Sequence, residues 1–247
     1  MRRLLATALA VLLFVAPAWT ALTFGAATSD RVNHGSAASL DNLAALTAMA
    51  WVYPTTLTSS RTIISKYRGS SSIGWRLALS GTGGDISLEW FRTGTDMNYI
   101  TSDTPLAITN AWYFVAMTAD STVGHIYTGT LTTPVVESSY GASTAGSGSP
   151  DADGARSLFV GNVDATSPTL AFQGRIAWAA VWNRVLTREE IQAQQFKPFC
   201  KSSDGCVLFT HLGWAGTGTQ PDLSGSSNNG TVTGATVSDH VPIARQP

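Results

Sequence analysis

The chain has 247 residues, 44% of them hydrophobic and only 13% charged, with a formal net charge of −1. That supplies apolar material for one large all-β domain or two small ones. The near-neutral balance, without long like-charge runs, gives no basis for a nucleic-acid partner or a basic membrane-surface patch. Gly, Ser and Thr are abundant, as suits many strands joined by turns.

Residues Met1–Ala18 have the physics of a secretory signal. Arg2 and Arg3 open it, Leu4–Val15 is an apolar run too short to span a bilayer as a mature helix, and Ala16-Pro17-Ala18 is an A-x-A cleavage site. The competing readings are a retained anchor or a first core strand. Cleavage would leave residues 19–247 as a single domain with no membrane span, exported to the extracellular space or periplasm.

Leu22–Gly35 reads as an opening hairpin. Thr47–Tyr53 reads as a strand closed by Pro54, with Trp51 expected to fill a layer between two sheets. Short strands then follow at sandwich spacing. Arg61–Tyr67 alternates loosely. Trp75, Leu77 and Leu79 share one face of the next strand, with Arg76 and Ala78 on the other. The chain turns at Gly81–Gly84, after which Ile86, Leu88 and Trp90 alternate against Ser87, Glu89 and Arg92. Ala111–Thr118 is a further strand. Tyr140–Arg156 is rich in Gly and Ser and reads as a surface loop; its Asp151-x-Asp153-Gly154 resembles half a calcium loop, but a polar turn is the preferred reading.

Phe172–Phe196 predicts one strand, a turn and one short helix. The strand's alternation breaks around Ala177 and Trp178, as in a doubly buried or bulged strand. Thr187 and Glu190 have capping-box spacing, flanked by a Leu186/Ile191 staple, and Pro198 is the stop. Cys200 and Cys206, the chain's two cysteines, are most simply a disulfide in an exported protein. Towards the C-terminus stands Asp222-Leu-Ser-Gly-x-x-Asn228-Asn-Gly-Thr231.

Gly174, Ile176, Val181, Trp182-Asn183-Arg184, Leu186-Thr187 and Glu190-Ile191 together resemble the closing strand and helix of LamG-like jelly-roll domains, in the concanavalin A-like lectin/glucanase superfamily. Asp30, Val32 and Gly35, the TAMAWVYP strand and the AWYFVAMT strand are similar to earlier phrases of that family. The resemblance implies an all-β, two-sheet antiparallel jelly-roll sandwich of about a dozen strands with one short helix. The Asp222–Thr231 phrase resembles one that ordinarily precedes the opening strand, so its place here implies a circular permutation. Thr231–Val237 should then lie beside the strand starting at Leu22, with Val232 and Val237 buried. No cofactor is required. The resemblance leaves room for a structural calcium held by Asp222 and Asn228 with Asp30, although the family's acidic pair is replaced by Ala177 and Trp178.

The glucanase E-x-D-x-x-E and E-x-D-x-E patterns are absent from the sequence: Glu89 stands alone, and Glu189-Glu190 belong to the helix start. No G-x-S-x-G or H-E-x-x-H occurs, and the four histidines lack ligand spacing. Four of the eight tryptophans, Trp75, Trp90, Trp178 and Trp214, exceed the family's core pattern and are candidate rings for stacking on sugars, against the plainer reading that they fill the core. The expectation is a secreted, non-catalytic module binding a glycan or surface polysaccharide. The alternatives are a virion or cell-surface adhesin within a larger assembly and, more weakly, a glycan hydrolase or lyase.

Overall fold

The computed structural model describes residues 20–25, 29–68, 73–81, 83–163, 170–197, 200 and 204–242. Residues 1–18, expected to be a secretory signal, and Pro198 lie outside them. Among the described residues there are sixteen strands: β1 (Thr20–Phe24), β2 (Arg31–Asn33), β3 (Leu46–Pro54), β4 (Ser60–Arg68), β5 (Ile73–Ser80), β6 (Ile86–Trp90), β7 (Met97–Thr101), β8 (Tyr113–Ala119), β9 (Gly124–Thr130), β10 (Val136–Glu137), β11 (Tyr140–Thr144), β12 (Phe159–Val160), β13 (Gly174–Trp182), β14 (Cys206–His211), β15 (Thr231–Thr233) and β16 (Thr236–Asp239). One helix, α1 (Arg188–Gln195), joins β13 to β14.

The strands form two antiparallel sheets. Sheet A runs β10-β9-β8-β3-β13-β1-β16, and β14 pairs with β13 beyond the stretch that β1 takes. Sheet B runs β11-β7-β6-β5-β4-β12-β2-β15. Their facing sides enclose the main core, in which Leu22, Val52, Ile64, Leu77, Leu88 and Ile176 are fully buried. The sandwich follows from strand patterning: each strand of β5 and β6 gives one apolar face to this core.

Sheet A buries its other face as well. β3, β8 and β13 are nearly continuous apolar runs because both of their faces are covered. Trp51, Phe114, Trp178 and Phe209 lie in a row on the outer side, with successive ring centroids 5.5–5.6 Å apart. Leu186 and Ile191 join that second cluster and bring α1 onto the row. This corrects the expected place of Trp51. It does not fill the layer between the sheets; it lies under the helix, and its Nε1 donates to the Gln195 carbonyl at 2.8 Å. The register shift in β13 between Ile176 and Trp178 explains the broken alternation, since Ala177 and Trp178 both join the outer cluster.

Helix α1 has the expected cap. The Glu190 amide donates to Thr187 Oγ1 at 3.3 Å, and the Thr187 amide donates to Glu190 Oε2 at 2.8 Å. Arg184 donates to both Glu190 oxygens, at 3.0 and 2.7 Å, tying the end of β13 to the helix. Cys200 and Cys206 form a disulfide just after it.

Two readings of loops change. Tyr140–Thr144, expected within a loop, is an edge strand of sheet B. Asp153 is no exposed turn residue: it is buried, and with Asp41 it holds the fully buried Lys66 ammonium at 3.0 and 2.6 Å. The Asp153 carbonyl accepts a third bond from Lys66 at 2.7 Å. This clamp fixes the loops after β2 and after β11 to β4, and such a pair is costly to break from one side only.

The C-terminal segment is integral. Val237 pairs with Leu22, and Val232 pairs with Val32, so β16 and β15 each close one sheet beside an opening strand. Val232 is half-buried against the core, but Val237 is 44% exposed: it projects to the same face as its partner Leu22, at the open edge of sheet A that β16 forms. Gly225 has the expected positive φ of 91°. Gly230 is required for space instead: a Cβ there would meet Val32 Cγ1 at 2.5 Å and His34 Cε1 at 2.6 Å.

Candidate functional site

The four candidate tryptophans are not brought together. Trp75 and Trp90 face each other across β5 and β6 in the main core, and Trp178 lies in the second cluster. All three are buried, so none offers a ring face to a ligand, and the plainer reading holds for them. Trp214 is 47% exposed, on the turn after β14, edge-on to His211 at 6.2 Å.

The proposed calcium ligands also fail to converge. Asp222 is saturated: Oδ1 accepts from the Phe209 and Ser224 amides, and Oδ2 from Ser224 Oγ and the Asn228 amide, at 2.9–3.0 Å. Asn228 reaches outside its own loop, donating through Nδ2 to the Val207 carbonyl and to Ser39 Oγ. Its backbone carbonyl lies 2.8 Å from His34 Nδ1. Asp30 sits at the other end of β2, where its Oδ2 accepts from the Gly25 amide. At roughly 3.3 Å per residue, the four residues from Asp30 to His34 separate these groups by more than a calcium shell spans. No group of three His, Cys, Asp or Glu among the described residues has metal-holding geometry. The donor set does not fit a calcium ion.

Burial around His34 has an electrostatic consequence. Desolvation lowers its pKa to about 4, against smaller raising effects from the Asn228 carbonyl and the Asp222 charge. The imidazole is neutral at physiological pH and serves to lock the C-terminal loop against β2.

The chemistry gathers on the outer face of sheet B. In β5 and β6, Trp75, Leu77, Leu88 and Trp90 point into the core, so Gly74, Arg76 and Glu89 point out. Register places Arg76 opposite Glu89, and Glu89 opposite the exposed Asn98 on β7. Arg76 Nε donates to Glu89 Oε2 at 2.8 Å and Nη2 to Oε1 at 2.7 Å, a bidentate pair. The two side chains are 11% and 21% exposed, so the pair is sheltered yet reaches solvent.

One row along, Gly74 lies between two aromatic residues. Tyr67 on β4 is its register partner, and the Phe91 amide donates to the Gly74 carbonyl at 2.9 Å from the other side. With no side chain on Gly74, the Tyr67 and Phe91 rings close over it, centroids 5.4 Å apart. A Cβ at Gly74 would collide with the Lys66 carbonyl, and its φ of +87° is left-handed. The Arg76 guanidinium stacks over Tyr67 at 5.1 Å. Burial raises the Tyr67 pKa, with Arg76 opposing and Glu89 adding to the effect, so the phenol stays protonated and able to donate.

Half-buried rings, a bidentate ion pair and an exposed amide therefore share one patch. Arg76 Nη1 has no hydrogen-bond partner among the described residues. Such a patch suits a polar ligand that also carries an apolar face: the rings take the apolar face, while the Glu89 oxygens and the Asn98 amide meet hydroxyls. Tyr67 and Phe91 were not singled out from sequence, because neither breaks the strand pattern around it.

Comparison with known proteins places the fold. A family model described as the concanavalin A-like lectin/glucanases superfamily matches residues 26–192. A search of curated protein sequences finds no match. Among solved structures, a candidate carbohydrate binding protein from Bacteroides ovatus is 19% identical with a TM-score of 0.65, covering 93% of this chain. This chain spans 62% of that protein's length. Mouse laminin α1 domains LG4-5 are 14% identical, with a TM-score of 0.48 over 76% of this chain and 48% of theirs. The CBM40 of Ruminococcus gnavus IT-sialidase is 16% identical, with a TM-score of 0.48 over 68% of this chain and 93% of its own. The family match covers well over half of the residues and agrees with the two-sheet sandwich, so the chain belongs to the concanavalin A-like lectin/glucanase superfamily.

Proposed function

We propose that this chain is an exported, non-catalytic module that binds glycan on the outer face of sheet B, through Tyr67, Phe91, Arg76, Glu89 and Asn98. The observation that carries the reading is the half-buried ring pair closed over Gly74 beside a sheltered ion pair that still reaches solvent. A lone structural ion pair does not need the rings beside it. The carboxylate on this patch, Glu89, is committed to Arg76, which argues against a free acid or base there. The secretory segment and the disulfide support export. The Bacteroides ovatus neighbour's description agrees in kind, although its likeness speaks for the fold.

The test is a glycan array probed with the purified chain and with Tyr67→Ala. The parent should bind a defined subset of glycans. Tyr67→Ala should lose that binding by about tenfold or more, as expected for losing an aromatic anchor, while keeping its melting cooperativity. A blank array, or equal binding by the variant, would remove the assignment.

A further inference from the structure

Resting on that glycan reading, we infer that the site takes neutral sugars, and that Glu89 sets this preference by occupying the anion-gripping edge of Arg76. A guanidinium grips a carboxylate through two parallel N–H groups, side-on at Nε/Nη2 or end-on at Nη1/Nη2. Here the Nε/Nη2 edge is filled by Glu89, at 2.8 and 2.7 Å. An incoming carboxylate meets an occupied edge and a like charge beside it, a juxtaposition that costs far more than a hydroxyl contact gains. Nη1 is buried, so the Nη1/Nη2 edge is closed to a carboxylate arriving from solvent. The Glu89 oxygens each accept one bond from Arg76 and keep lone pairs for sugar O–H groups. The pair contributes no net charge, and the neighbouring rings favour an apolar ring face. Glu89 is thus a specificity-determining residue that neutralises an anion-binding arginine and offers its own oxygens to hydroxyls.

The experiment uses the purified chain with matched probes: neutral hexose oligosaccharides, and the same backbones capped with a hexuronic or sialic acid. The parent should bind neutral probes and bind the capped ones about tenfold more weakly or less. Glu89→Gln frees the guanidinium edge, so the variant should gain about tenfold on capped probes, and that gain should fall as salt is raised. A parent that prefers capped probes overturns the inference, as does a folded Glu89→Gln variant with no gain. If Glu89→Gln does not fold, the uncharged Arg76→Gln/Glu89→Gln pair serves instead. It should discriminate less against capped probes than the parent does; discrimination as strong as the parent's would overturn the role of the Glu89 charge. Binding to neither half of the panel removes the glycan reading and this inference with it, whereas an acid preference removes this inference alone.

Discussion

The outer faces of the two sheets are built to opposite ends. On sheet A the outer face carries Trp51, Phe114, Trp178 and Phe209, and α1 lies against it. On sheet B it carries Tyr67, Arg76, Glu89, Phe91 and Asn98, and these reach solvent to differing degrees. The difference is already present in the strands. β13 reads GRIAWAAVW and β8 reads YFVAMTA, apolar on both sides, whereas β5 reads IGWRLALS and β6 ISLEW, with a charged residue set between core residues. Aromatic residues on the first face are buried and stabilise the fold, whereas Tyr67 and Phe91 on the second are only half-buried. Counting tryptophans does not separate the two uses; following which strands alternate does.

Four tests break or sharpen this contrast. The largest effect should come from deleting the chain after Thr219. That removes β15 and β16, one edge strand from each sheet, together with Val241 of the second cluster. Exposed edges and uncovered core should make the truncated protein insoluble or unfolded, seen as loss of soluble expression. Soluble protein melting as cooperatively as the parent would show the segment to be an appendage.

Next, Trp178→Ala should cost about 3–5 kcal/mol in urea unfolding, because a fully buried ring is removed from a packed row. Tyr67→Ala, on the half-buried face, should cost about 1 kcal/mol. Equal costs would erase the distinction between the faces.

His34 gives a pH test of the joint between β2 and the C-terminal loop. Its folded pKa, about 4, lies below the ordinary value of 6.5. The unfolded chain therefore binds the proton first. The stabilisation is fully present above pH 6.5 and is lost as pH falls from there toward 4, by up to about 3 kcal/mol. Denaturant midpoints between pH 6.5 and 5 should fall in the parent and stay flatter in His34→Gln. A parent with no slope in that window would contradict the buried, neutral imidazole.

A smaller effect is expected at the start of α1. Thr187→Ala removes one half of the capping box and should cost about 1 kcal/mol in the same unfolding assay, with no change in glycan binding.

Much of the fold was legible in the sequence, because its motifs carry local physics. Thr187, Glu190 and Leu186 specify a helix start wherever they occur, and the alternation in β5 and β6 assigns faces without knowledge of the partner sheet. The place of Trp51 was not legible: a strand apolar on both faces does not say which side meets the other sheet. The site was half legible. A hairpin folded about Gly81–Gly84 reflects Arg76 onto Glu89, so that pair was within reach. The meeting of Tyr67 and Phe91 was not, since it depends on two strand pairings and on the empty position at Gly74. Asp30 is not brought to Asp222 and Asn228, for a related reason. A motif names residues but not the hydrogen bonds that already use their oxygens, and Asp222 is spent on its own loop and on Phe209.

The most direct test of the account maps a bound glycan onto the two faces without mutation. A neutral oligosaccharide selected on the array is titrated into isotopically labelled protein, and backbone amide shifts are followed by NMR. The account predicts perturbations centred on Tyr67, Arg76, Glu89, Phe91 and Asn98, with β13 and α1 unmoved. Perturbations centred on the exposed Trp214 turn, with the outer face of sheet B silent, would contradict it.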